Sequence, residues 1–464
     1  MFPVVRQCLF RYFLVAFLII FAIIMILGFT MLITGEEKVF INEPMVFKEV
    51  DHHKLGSADA LQENIAHPII VWWTKFTGEQ FNVLKCKNVT CVFTEDRHYK
   101  YHPNTKVFMF YGTDFTPNDL PLPRKPHHEW ALLHEESPKN NYLFSHKPIM
   151  TLFNHTCTFR RESDYPISTQ HLPTLEWLQD TTYLLPTSEK TRYQSELAPI
   201  LYVHSDCDTP SDRDTYVKYL QKYMKIDSYG SCLHNKDLPK HLVDPINGMS
   251  HKDFYKLIAK YKFAFSMENG ICDDYMTEKL WRPLMVGTVP VILGSSKVRD
   301  FLPHEKSAII IDDFDTAESL AKYLLYLNRN DEEYEKYLQW KKTGITNKYL
   351  KDLMAHREWD TSDEEVMHDS GISYIEGFQC FVCQRVHENM RLEKEGKMPK
   401  VYQATLEHYG CPAPIQFNAQ SQRVDSDKWK YEWQHHKMIA EKLRHSIDNG
   451  NNFTWKDAHI FLQN

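Results

Sequence analysis

Short apolar runs that alternate with helical patterns constrain the fold of this chain more than any other feature. The strand-like runs lie at 68–73, 106–111, 129–134, 149–153, 200–203, 263–266, 288–293 and 307–311. The helical patterns lie at 213–224, 253–261, 276–285 and 316–340. Strands that alternate with helices predict a parallel sheet covered on both faces. Because a charged stretch at 186–199 separates two sets of runs, we expect an α/β protein with two Rossmann-like domains that face each other across a cleft.

A long uncharged segment stands near the N-terminus. Residues 12–34 contain no charged side chain, and roughly 20 apolar residues are enough for a helix to cross a bilayer. Arginines precede the segment and glutamates follow it, which predicts a cytoplasmic N-terminus. The alternative is a cleaved signal peptide, whose apolar region would be shorter, about 7–15 residues. We therefore expect a cytoplasmic tail at 1–11, a transmembrane signal anchor at 12–34 and a stem at 35–65, with the remainder on the lumenal side.

Composition excludes several classes of protein. The chain is 43% hydrophobic and 25% charged, values that are ordinary for globular proteins and rule out wholesale disorder or many membrane spans. Its net charge of −7 provides no basic field that would attract nucleic acid. The sequence contains neither a GxGxxG fingerprint nor a P-loop, so any nucleotide must be held by other groups.

Cysteine usage fits an oxidising compartment. Of the 10 cysteines, Cys8 falls in the predicted cytoplasmic tail, which leaves an odd number and at least one thiol outside intrachain disulfides. The close pairs Cys86/Cys91 and Cys380/Cys383 are the best disulfide candidates. A zinc site at the second pair, with His387, is disfavoured because no second CxxC exists. Glycosylation sequons stand at Asn88, Asn154 and Asn452.

The most informative segment, 268–282, follows a predicted strand and opens a predicted helix. A helix N-terminus at the end of a strand offers free N–H groups and a positive dipole end to an anion such as a diphosphate. Tyr275 and Lys279 are four residues apart and are expected on one helix face, where Lys279 would neutralise phosphate. Glu278 could accept hydrogen bonds from sugar hydroxyls. The alternative is a capped helix whose Glu and Lys are simply solvated.

A second candidate site is the acidic pair Glu135-Glu136, which follows the run at 129–134. A carboxylate at a strand end can act as general base if burial raises its pKa towards neutrality. Adjacent glutamates tend to point in different directions, so only one would serve. The alternative is a surface acidic pair. The histidines at 127, 128 and 134 lack a metal-ligand spacing, so a metal site there is disfavoured.

Arg213 is the third candidate, at the start of a predicted helix. Its forked guanidinium could reach a diphosphate across the cleft. The preceding loop contains Asp206-Cys207-Asp208, which imitates a DxD metal motif, but a three-residue pattern is weak and we expect no metal there.

Taken in order, these residues resemble the α1,3-fucosyltransferases of glycosyltransferase family 10. The resemblance rests on 136–138, 152–164, Arg213, 261–269, 275–282, 289–295 and 380–383. Within the family the chain is similar to the divergent branch typified by human fucosyltransferases ten and eleven, through 110–115, 121–124, 134–138, 211–214 and 227–230. Members of that branch are assigned protein O-fucosylation of small cysteine-rich modules.

The resemblance implies a GT-B fold, GDP-fucose as donor, inversion at the anomeric carbon and no required metal or other cofactor. It implies an acceptor-side domain at 66–190, a GDP-fucose-binding domain at 191–352 and a C-terminal extension at 353–464. Glu136 matches the family's general base. Donor-binding positions match Arg213, Asn269, Tyr275, Glu278 and Lys279, and possible acceptor or donor support comes from Arg160, Arg161 and Glu268.

The function implied is transfer of fucose to a Ser or Thr hydroxyl of a cysteine-rich module in the secretory pathway, by a single-pass type II membrane protein of the Golgi or endoplasmic reticulum. Two alternatives stay open. One is α1,3-fucosylation of GlcNAc on N-glycans, and the other is a catalytically silent lumenal binding protein.

Overall fold

The computed structural model describes residues 65–454, apart from 79, 245–246 and 361–371. The predicted cytoplasmic tail, signal anchor and nearly all of the stem lie outside the described residues. Within the described part of the chain, no helix combines the length and the apolar character needed to cross a bilayer.

The first half of the described chain is built on a seven-stranded sheet. Its strands are β1 Ile69–Trp72, β2 Asn82–Cys86, β3 Val89–Thr94, β4 Thr105–Tyr111, β5 Glu129–His134, β6 His155–Thr158 and β7 Tyr165–Pro166. The order across the sheet is β2-β3-β1-β4-β5-β6-β7. The strands pair in parallel except for the antiparallel β2–β3 hairpin. The predicted parallel sheet is therefore confirmed for this half, with an antiparallel hairpin added at one edge.

The predicted strand at 149–153 is wrong. The chain forms helix α1, Lys147–Met150, with Pro148 in its first turn, and the next strand begins at His155. The apolar side chains of this run are nevertheless buried in the core, as expected. A short apolar run has the same sequence signature in a buried helix as in a buried strand, so the pattern alone cannot separate the two.

The second half contains a five-stranded parallel sheet. Its strands are β8 Ile200–Tyr202, β9 Ile226–Ser228, β10 Phe263–Met267, β11 Val289–Leu293 and β12 Ile309–Ile310. The order is β12-β11-β10-β8-β9, so the chain leaves β8 towards one side and returns at β10 on the other. The gap between β8 and β10 is therefore a topological switch point, where ligands bind in open α/β sheets.

Helices join and cover these strands. After α1 they are α2 Leu175–Gln179, α3 Thr187–Tyr193, α4 Arg213–Leu220, α5 Asn247–Ser250, α6 Lys252–Ala259, α7 Glu278–Val286, α8 Ala317–Arg329, α9 Asp331–Glu335, α10 Trp340–Thr343, α11 Lys348–Ala355, α12 Tyr374–Lys394 and α13 Asp427–Asp448. Part of the predicted linker at 186–199 is thus helical. The single helix predicted at 316–340 is interrupted at Asn330, whose side chain caps α9 by accepting a hydrogen bond from the Glu333 N–H.

The C-terminal region packs on the first sheet. Helix α12 joins the core on one face through Phe378, Val382 and Val386, and α13 contributes Ile439 and Leu443 to the core on the other face. The extension at 353–464 is thus an integral part of the fold where it is described. The predicted domain boundaries at 66, 191 and 353 stay predictions.

The predicted disulfide pairing is wrong, although all four cysteines are oxidised. The bonds join Cys86 to Cys380 and Cys91 to Cys383. In the β2–β3 hairpin Cys86 pairs with Val89, so the two hairpin cysteines are not cross-strand neighbours. Instead, Cys380 and Cys383, which are three residues apart on α12, bond to the cysteines of β2 and β3, respectively. Because both α12 thiols are oxidised, they cannot serve as thiolate ligands of zinc.

Two further disulfides join Cys207 to Cys232 and Cys272 to Cys411. Among the described cysteines, Cys157 is free and buried. This outcome confirms the expectation that an odd number of cysteines leaves one thiol unpaired within the chain.

Candidate active site

The loops that follow β5 and β10 meet where the carboxyl ends of the two sheets face each other. A Cβ atom added at Gly270 would lie 3.0 Å from the Cβ of Ser137, a contact tight enough to favour glycine. The Tyr275 hydroxyl donates a hydrogen bond of 3.3 Å to Oε2 of Glu136. Because ligands bind outside the carboxyl ends of parallel strands, this junction is the candidate active site.

The adjacent glutamates after β5 have different partners, because neighbouring side chains of an extended chain tend to point in different directions. Glu136 faces Tyr275, whereas Oε1 of Glu135 accepts a hydrogen bond of 2.9 Å from the Tyr111 hydroxyl. This arrangement fits the expectation that only one of the two carboxylates serves the site.

Glu136 has the environment of a general base. Burial raises its pKa above the ordinary value for a glutamate, against an opposing effect of Lys279. The carboxylates of Glu278 and Glu268 raise this pKa further, and the hydrogen bond from Tyr275 lowers it. A carboxylate with a raised pKa accepts a proton more readily near neutral pH.

The pKa of Glu135 is also shifted, although this carboxylate contacts Tyr111 and not Tyr275. Burial raises its pKa to about 7. Its Oε2 atom is buried without a hydrogen-bond partner among the described residues. Proton affinity alone therefore does not distinguish the two glutamates, but the contact with Tyr275 places Glu136 at the junction of the two halves.

Helix α7 begins at Glu278, three residues after Tyr275, whereas the sequence predicted a start at Met276. Thr277 is the N-cap, and its side chain accepts a hydrogen bond from the Lys279 N–H. Oε1 of Glu268 accepts hydrogen bonds of 2.8 and 2.9 Å from the Thr277 N–H and hydroxyl. Tyr275 thus precedes the cap, so the expectation that it shares a helix face with Lys279 is wrong. Sequence reasoning placed Tyr275 with the donor, and the structure places it against Glu136.

A network of opposite charges surrounds the start of α7. The Lys279 Nζ lies 3.2 Å from Oε1 of Glu278 and 3.5 Å from Oε2 of Glu268. Burial would lower the pKa of Lys279, but the two carboxylates raise it overall. Burial would raise the pKa of Glu278, but Lys279 and Arg282 bring it well below its usual range. Lys279 and Glu278 are therefore both charged at neutral pH.

A cavity of about 210 Å³ opens beside Lys279 at the β8/β10 switch point. Its walls are mostly apolar, and its polar edge carries His204, Asp206, Arg213, Glu278, Lys279 and Arg282. An apolar cavity with a few convergent charged groups is the usual form of a site for a nucleotide or cofactor. The cations at its edge suit a phosphate.

Arg213 shares this cavity with Lys279 but does not reach across a cleft, so that expectation is wrong. The residue opens α4 in the second half and is 1% exposed. Its guanidinium donates hydrogen bonds to the backbone oxygens of Met267, at 3.0 Å, and Asp206, at 2.6 Å. Its Nε atom is buried and finds no partner in the described part of the chain. Both cations therefore act from the same wall.

At the candidate site, Asn269 and His204 also carry buried polar atoms that have no partner among the described residues. Asn269, a predicted donor-binding residue, does so through its Oδ1 atom. His204 lines the cavity and leaves its Nε2 unbonded. Burial lowers the pKa of His204 well below its usual value, and Arg213 and Lys279 lower it further, so the imidazole is neutral. Sequence reasoning missed His204, although its position directly after a predicted strand was a usable signal.

The predicted support residues Arg160 and Arg161 are already paired. Arg160 contacts Glu162 at 2.9 Å and Asp273 at 3.5 Å. Arg161 contacts Asp274 at 2.7 Å. These pairs connect the loop after β6 to the loop after β10, so the two arginines stabilise the junction of the halves. Glu268 is likewise committed to Thr277 and Lys279.

All three side chains of the Asp206-Cys207-Asp208 motif are paired with other side chains of the protein. Asp206 pairs with Lys139, Asp208 pairs with Lys428, and Cys207 is in a disulfide. The carboxylates that a divalent cation would need are thus neutralised by lysines.

The three sequons differ in their surroundings. Asn88 lies exposed in the turn of the β2–β3 hairpin, and Asn452 is exposed after α13. The Asn154 side chain is used by the fold, since its Oδ1 accepts a hydrogen bond from the Trp130 N–H and its Nδ2 donates one to the Tyr402 oxygen. A glycan on Asn154 would have to be attached to a half-buried amide that already bonds Trp130 and Tyr402, which argues against that candidate.

A buried carboxylate of raised pKa on one α/β half, within electrostatic reach of a lysine that lines a cation-edged cavity of the other half, fits a class of protein, a transferase that uses a phosphorylated donor. The chain belongs to glycosyltransferase family 10, the fucosyltransferases. The sequence model of the family's N-terminal region matches residues 65–169, and that of its C-terminal region matches residues 193–403.

Curated relatives cover most of the chain. A chicken (Gallus gallus) protein named GDP-fucose protein O-fucosyltransferase 3 is 46% identical over 401 residues, 85% of this chain and 83% of its own. The zebrafish (Danio rerio) protein of the same name is 46% identical over 86% of this chain and 88% of its own. The human (Homo sapiens) protein is 45% identical, with 84% and 81% covered. A solved α1,3-fucosyltransferase with GDP is 15% identical over 71% of this chain and 93% of that chain, with a TM-score of 0.38, too low to support an argument.

Proposed function

We propose that this chain transfers fucose from GDP-fucose to a Ser or Thr hydroxyl of a cysteine-rich protein module, with inversion at the anomeric carbon. Family membership supports the fucosyltransferase activity. The names of relatives at about 45% identity support GDP-fucose as donor and protein as acceptor. The observation that carries the proposal is the position of Glu136, on the first half, against Tyr275 and the charge network of the second half.

The donor diphosphate would occupy the edge of the 210 Å³ cavity. Lys279 supplies a positive charge there, and Arg213 and Arg282 line the same edge. As the bond from fucose C1 to the diphosphate oxygen breaks, negative charge grows on the leaving GDP, and preorganised cations stabilise that charge. We propose that this charge stabilisation does not require a divalent metal.

The acceptor hydroxyl would approach from the side of the first sheet. Glu136 takes its proton, the hydroxyl oxygen bonds to C1 from the face opposite GDP, and GDP leaves. This single displacement inverts C1, and the proton ends on Glu136. Opposing halves of GT-B type, with a cleft between them, would exclude water during transfer and limit hydrolysis of the donor.

The predicted location is the Golgi or endoplasmic reticulum, with a type II signal anchor. The uncharged segment at 12–34 supports the anchor. The disulfides among the described residues support a lumenal catalytic region, because such bonds persist in oxidising compartments.

A direct experiment is incubation of the full-length chain with GDP-fucose and two acceptors, a folded cysteine-rich protein module and a GlcNAc-terminated N-glycan. Mass spectrometry then locates the fucose. Fucose on Ser or Thr supports the proposal. Fucose only on the glycan replaces the acceptor assignment, and no transfer to either acceptor, with no hydrolysis of GDP-fucose, points to the silent binding protein instead.

A further inference from the structure

The C-terminal extension reaches the candidate base through residues 404–417, which we name the C-terminal strap. The whole strap lies beyond residue 403, where the match to the family's sequence model ends. The Ala404 N–H donates a hydrogen bond of 2.9 Å to the Phe153 oxygen, and the His408 oxygen accepts one of 2.5 Å from the Thr158 hydroxyl. The strap is thereby fixed to β6 and to the turn before it.

Tyr409 is the strap residue that contacts Glu136. It is fully buried, and its hydroxyl donates a hydrogen bond of 3.0 Å to the backbone oxygen of Glu136. Its ring stacks on His134, the last residue of β5, with 5.2 Å between ring centroids. Glu136 lies two residues beyond β5, so its backbone is held by this phenol and not by the sheet ladder.

The same aromatic cluster reaches the other contact of Glu136. Phe159 lies 5.2 Å from the Tyr409 ring and 4.9 Å from the Tyr275 ring, between centroids. Tyr275 and Tyr409, whose rings both contact Phe159, therefore hold Glu136 at its carboxylate and at its backbone oxygen, respectively.

A covalent bond joins the strap to the loop that carries Tyr275. Cys411, two residues after Tyr409, is bonded to Cys272, three residues before Tyr275. Beyond the bond the strap continues to the second half, where the Phe417 N–H donates a hydrogen bond of 2.7 Å to Asp212, directly before Arg213. The strap thus touches the base, the loop between β10 and α7, and the start of α4.

We propose that Tyr409 is a positioning residue for Glu136, and that the Cys272–Cys411 disulfide holds Tyr409 in place. The inference rests on the proposed role of Glu136 as general base. A misplacement of about 1 Å in a reacting group can cost about 100-fold in rate. Loss of the phenol would therefore reduce proton transfer while the donor cavity, built from other residues, stays intact.

The test compares Tyr409→Phe with Tyr142→Phe in the full-length chain. Tyr142 is a matched control, because it is a buried tyrosine of the first half that packs near Trp429 of the C-terminal region, and its hydroxyl has no partner among the described residues. For Tyr409→Phe we expect kcat to fall about tenfold while KM for GDP-fucose and the affinity for GDP stay within twofold. For Tyr142→Phe we expect neither to change.

A second pair of variants tests the disulfide. Cys272→Ser combined with Cys411→Ser should lower kcat in the same manner, with GDP affinity kept. Cys86→Ser combined with Cys380→Ser removes a bond remote from the site, beside the intact Cys91–Cys383 bond, and should leave kcat unchanged. If the variant with Cys272→Ser and Cys411→Ser fails to fold, Tyr409→Phe still tests whether Tyr409 positions Glu136.

A wild-type kcat for Tyr409→Phe would overturn the inference. So would a loss of GDP affinity equal to the loss of kcat, since that result indicates general damage to the fold. Glu136→Gln separates this failure from failure of the proposed function. If Glu136→Gln is inactive and Tyr409→Phe is normal, only the positioning role is wrong. If Glu136→Gln remains active, the assignment of the base is wrong.

Discussion

Two buried carboxylates at the sheet edges that meet at the site, Glu278 and Glu136, differ in their partners and in the direction of their pKa shifts. At the second sheet, Glu278 is paired with Lys279, and its pKa lies well below the usual range despite burial. At the first sheet, the hydrogen-bond donors to the carboxylates of Glu135 and Glu136 are the phenols Tyr111 and Tyr275, and burial raises both carboxyl pKa values. A neutral phenol satisfies an oxygen atom but does not neutralise its charge.

The difference between a carboxylate paired with a lysine and one bonded to a neutral phenol suits the two carboxylates to different chemistry. Carboxylates and cations in close contact keep fixed charges, as a site for a diphosphate requires. A carboxylate without a cation in direct contact can gain and lose a proton near neutral pH, as a general base requires. In the proposed mechanism each half of the molecule supplies one of these tasks, and fucose transfer needs both halves.

The largest expected effect comes from Glu136→Gln, which keeps the shape of the side chain and removes its proton affinity. General bases contribute about 10²–10⁴-fold to rate, so we expect kcat for fucose transfer to fall by about 10³-fold. GDP affinity, measured by calorimetry, should stay unchanged because the donor cavity is on the other half. Glu135→Gln is the matched control and should keep kcat within about threefold. A Glu136→Gln variant with more than a tenth of wild-type kcat would refute the assignment of the base.

The next effect tests the charged edge. Lys279→Met removes the central cation, and we expect kcat/KM for GDP-fucose to fall by about 10²-fold, in the range of losses seen when one charge-stabilising donor is removed. The variant should also lose about 2 kcal/mol of unfolding free energy, because Glu278 and Glu268 lose their common partner.

Lys306→Met is the control for this variant, since Lys306 is an exposed lysine of the same half. It should change neither kcat/KM nor the denaturation midpoint. If Lys279→Met binds GDP as tightly as the wild type, the diphosphate lies elsewhere, and the comparison of the two edges loses its functional meaning.

A smaller effect concerns pH. The hydrogen bond from Tyr275 lowers the pKa of Glu136, so Tyr275→Phe should raise that pKa. Because the base works when ionised, the acidic limb of the kcat/KM profile should move to higher pH, by about 0.5–1 unit. Tyr111→Phe removes the corresponding bond to Glu135 and should leave the limb in place. A shift in the opposite direction for Tyr275→Phe would show that the phenol does not stabilise the ionised base.

The smallest expected effect is on stability. The pKa of Glu135 is raised to about 7 in the folded protein, so folding favours its protonated form. That contribution is complete at pH values below the ordinary glutamate pKa and is lost as pH rises through about 7. At pH 8, Glu135→Gln should therefore be more stable than the wild type by about 1 kcal/mol, since an uncharged amide replaces a buried charge. Urea unfolding at pH 5 and pH 8 measures this, and equal differences at both pH values would contradict it.

The second half was predicted better than the first from sequence because its signals are local. The apolar runs at β10 and β11 are continuous, and Thr277 and Gly287 mark the ends of α7. In the first half, Pro148 directs an equally apolar run into a helix, and nothing in the pattern of 149–153 distinguishes that outcome. The charged residues Glu278 and Lys279 were correctly expected at a helix start, whereas Tyr275 lies two residues before the N-cap Thr277 and therefore outside the helix.

The remaining features depend on contacts between residues far apart in the chain. Cys272 and Cys411 are 139 residues apart, and Tyr409 meets Glu136 only after the second half has been completed. Arg213 was expected at a diphosphate, but backbone oxygens of Met267 and Asp206 take two of its donors, and those oxygens carry no sequence signature. Such pairings become visible only when the loops are assembled in three dimensions.

The disulfides of the β2–β3 hairpin have a consequence for how the polypeptide is made. Cys86 and Cys380 are 294 residues apart, so the disulfide that links the edge strand β2 to α12 cannot form until most of the chain has been synthesised. During translation Cys86 and Cys91 are synthesised close together, long before their partners. An early bond between them would block both native links and would have to be broken before the native pairs could form.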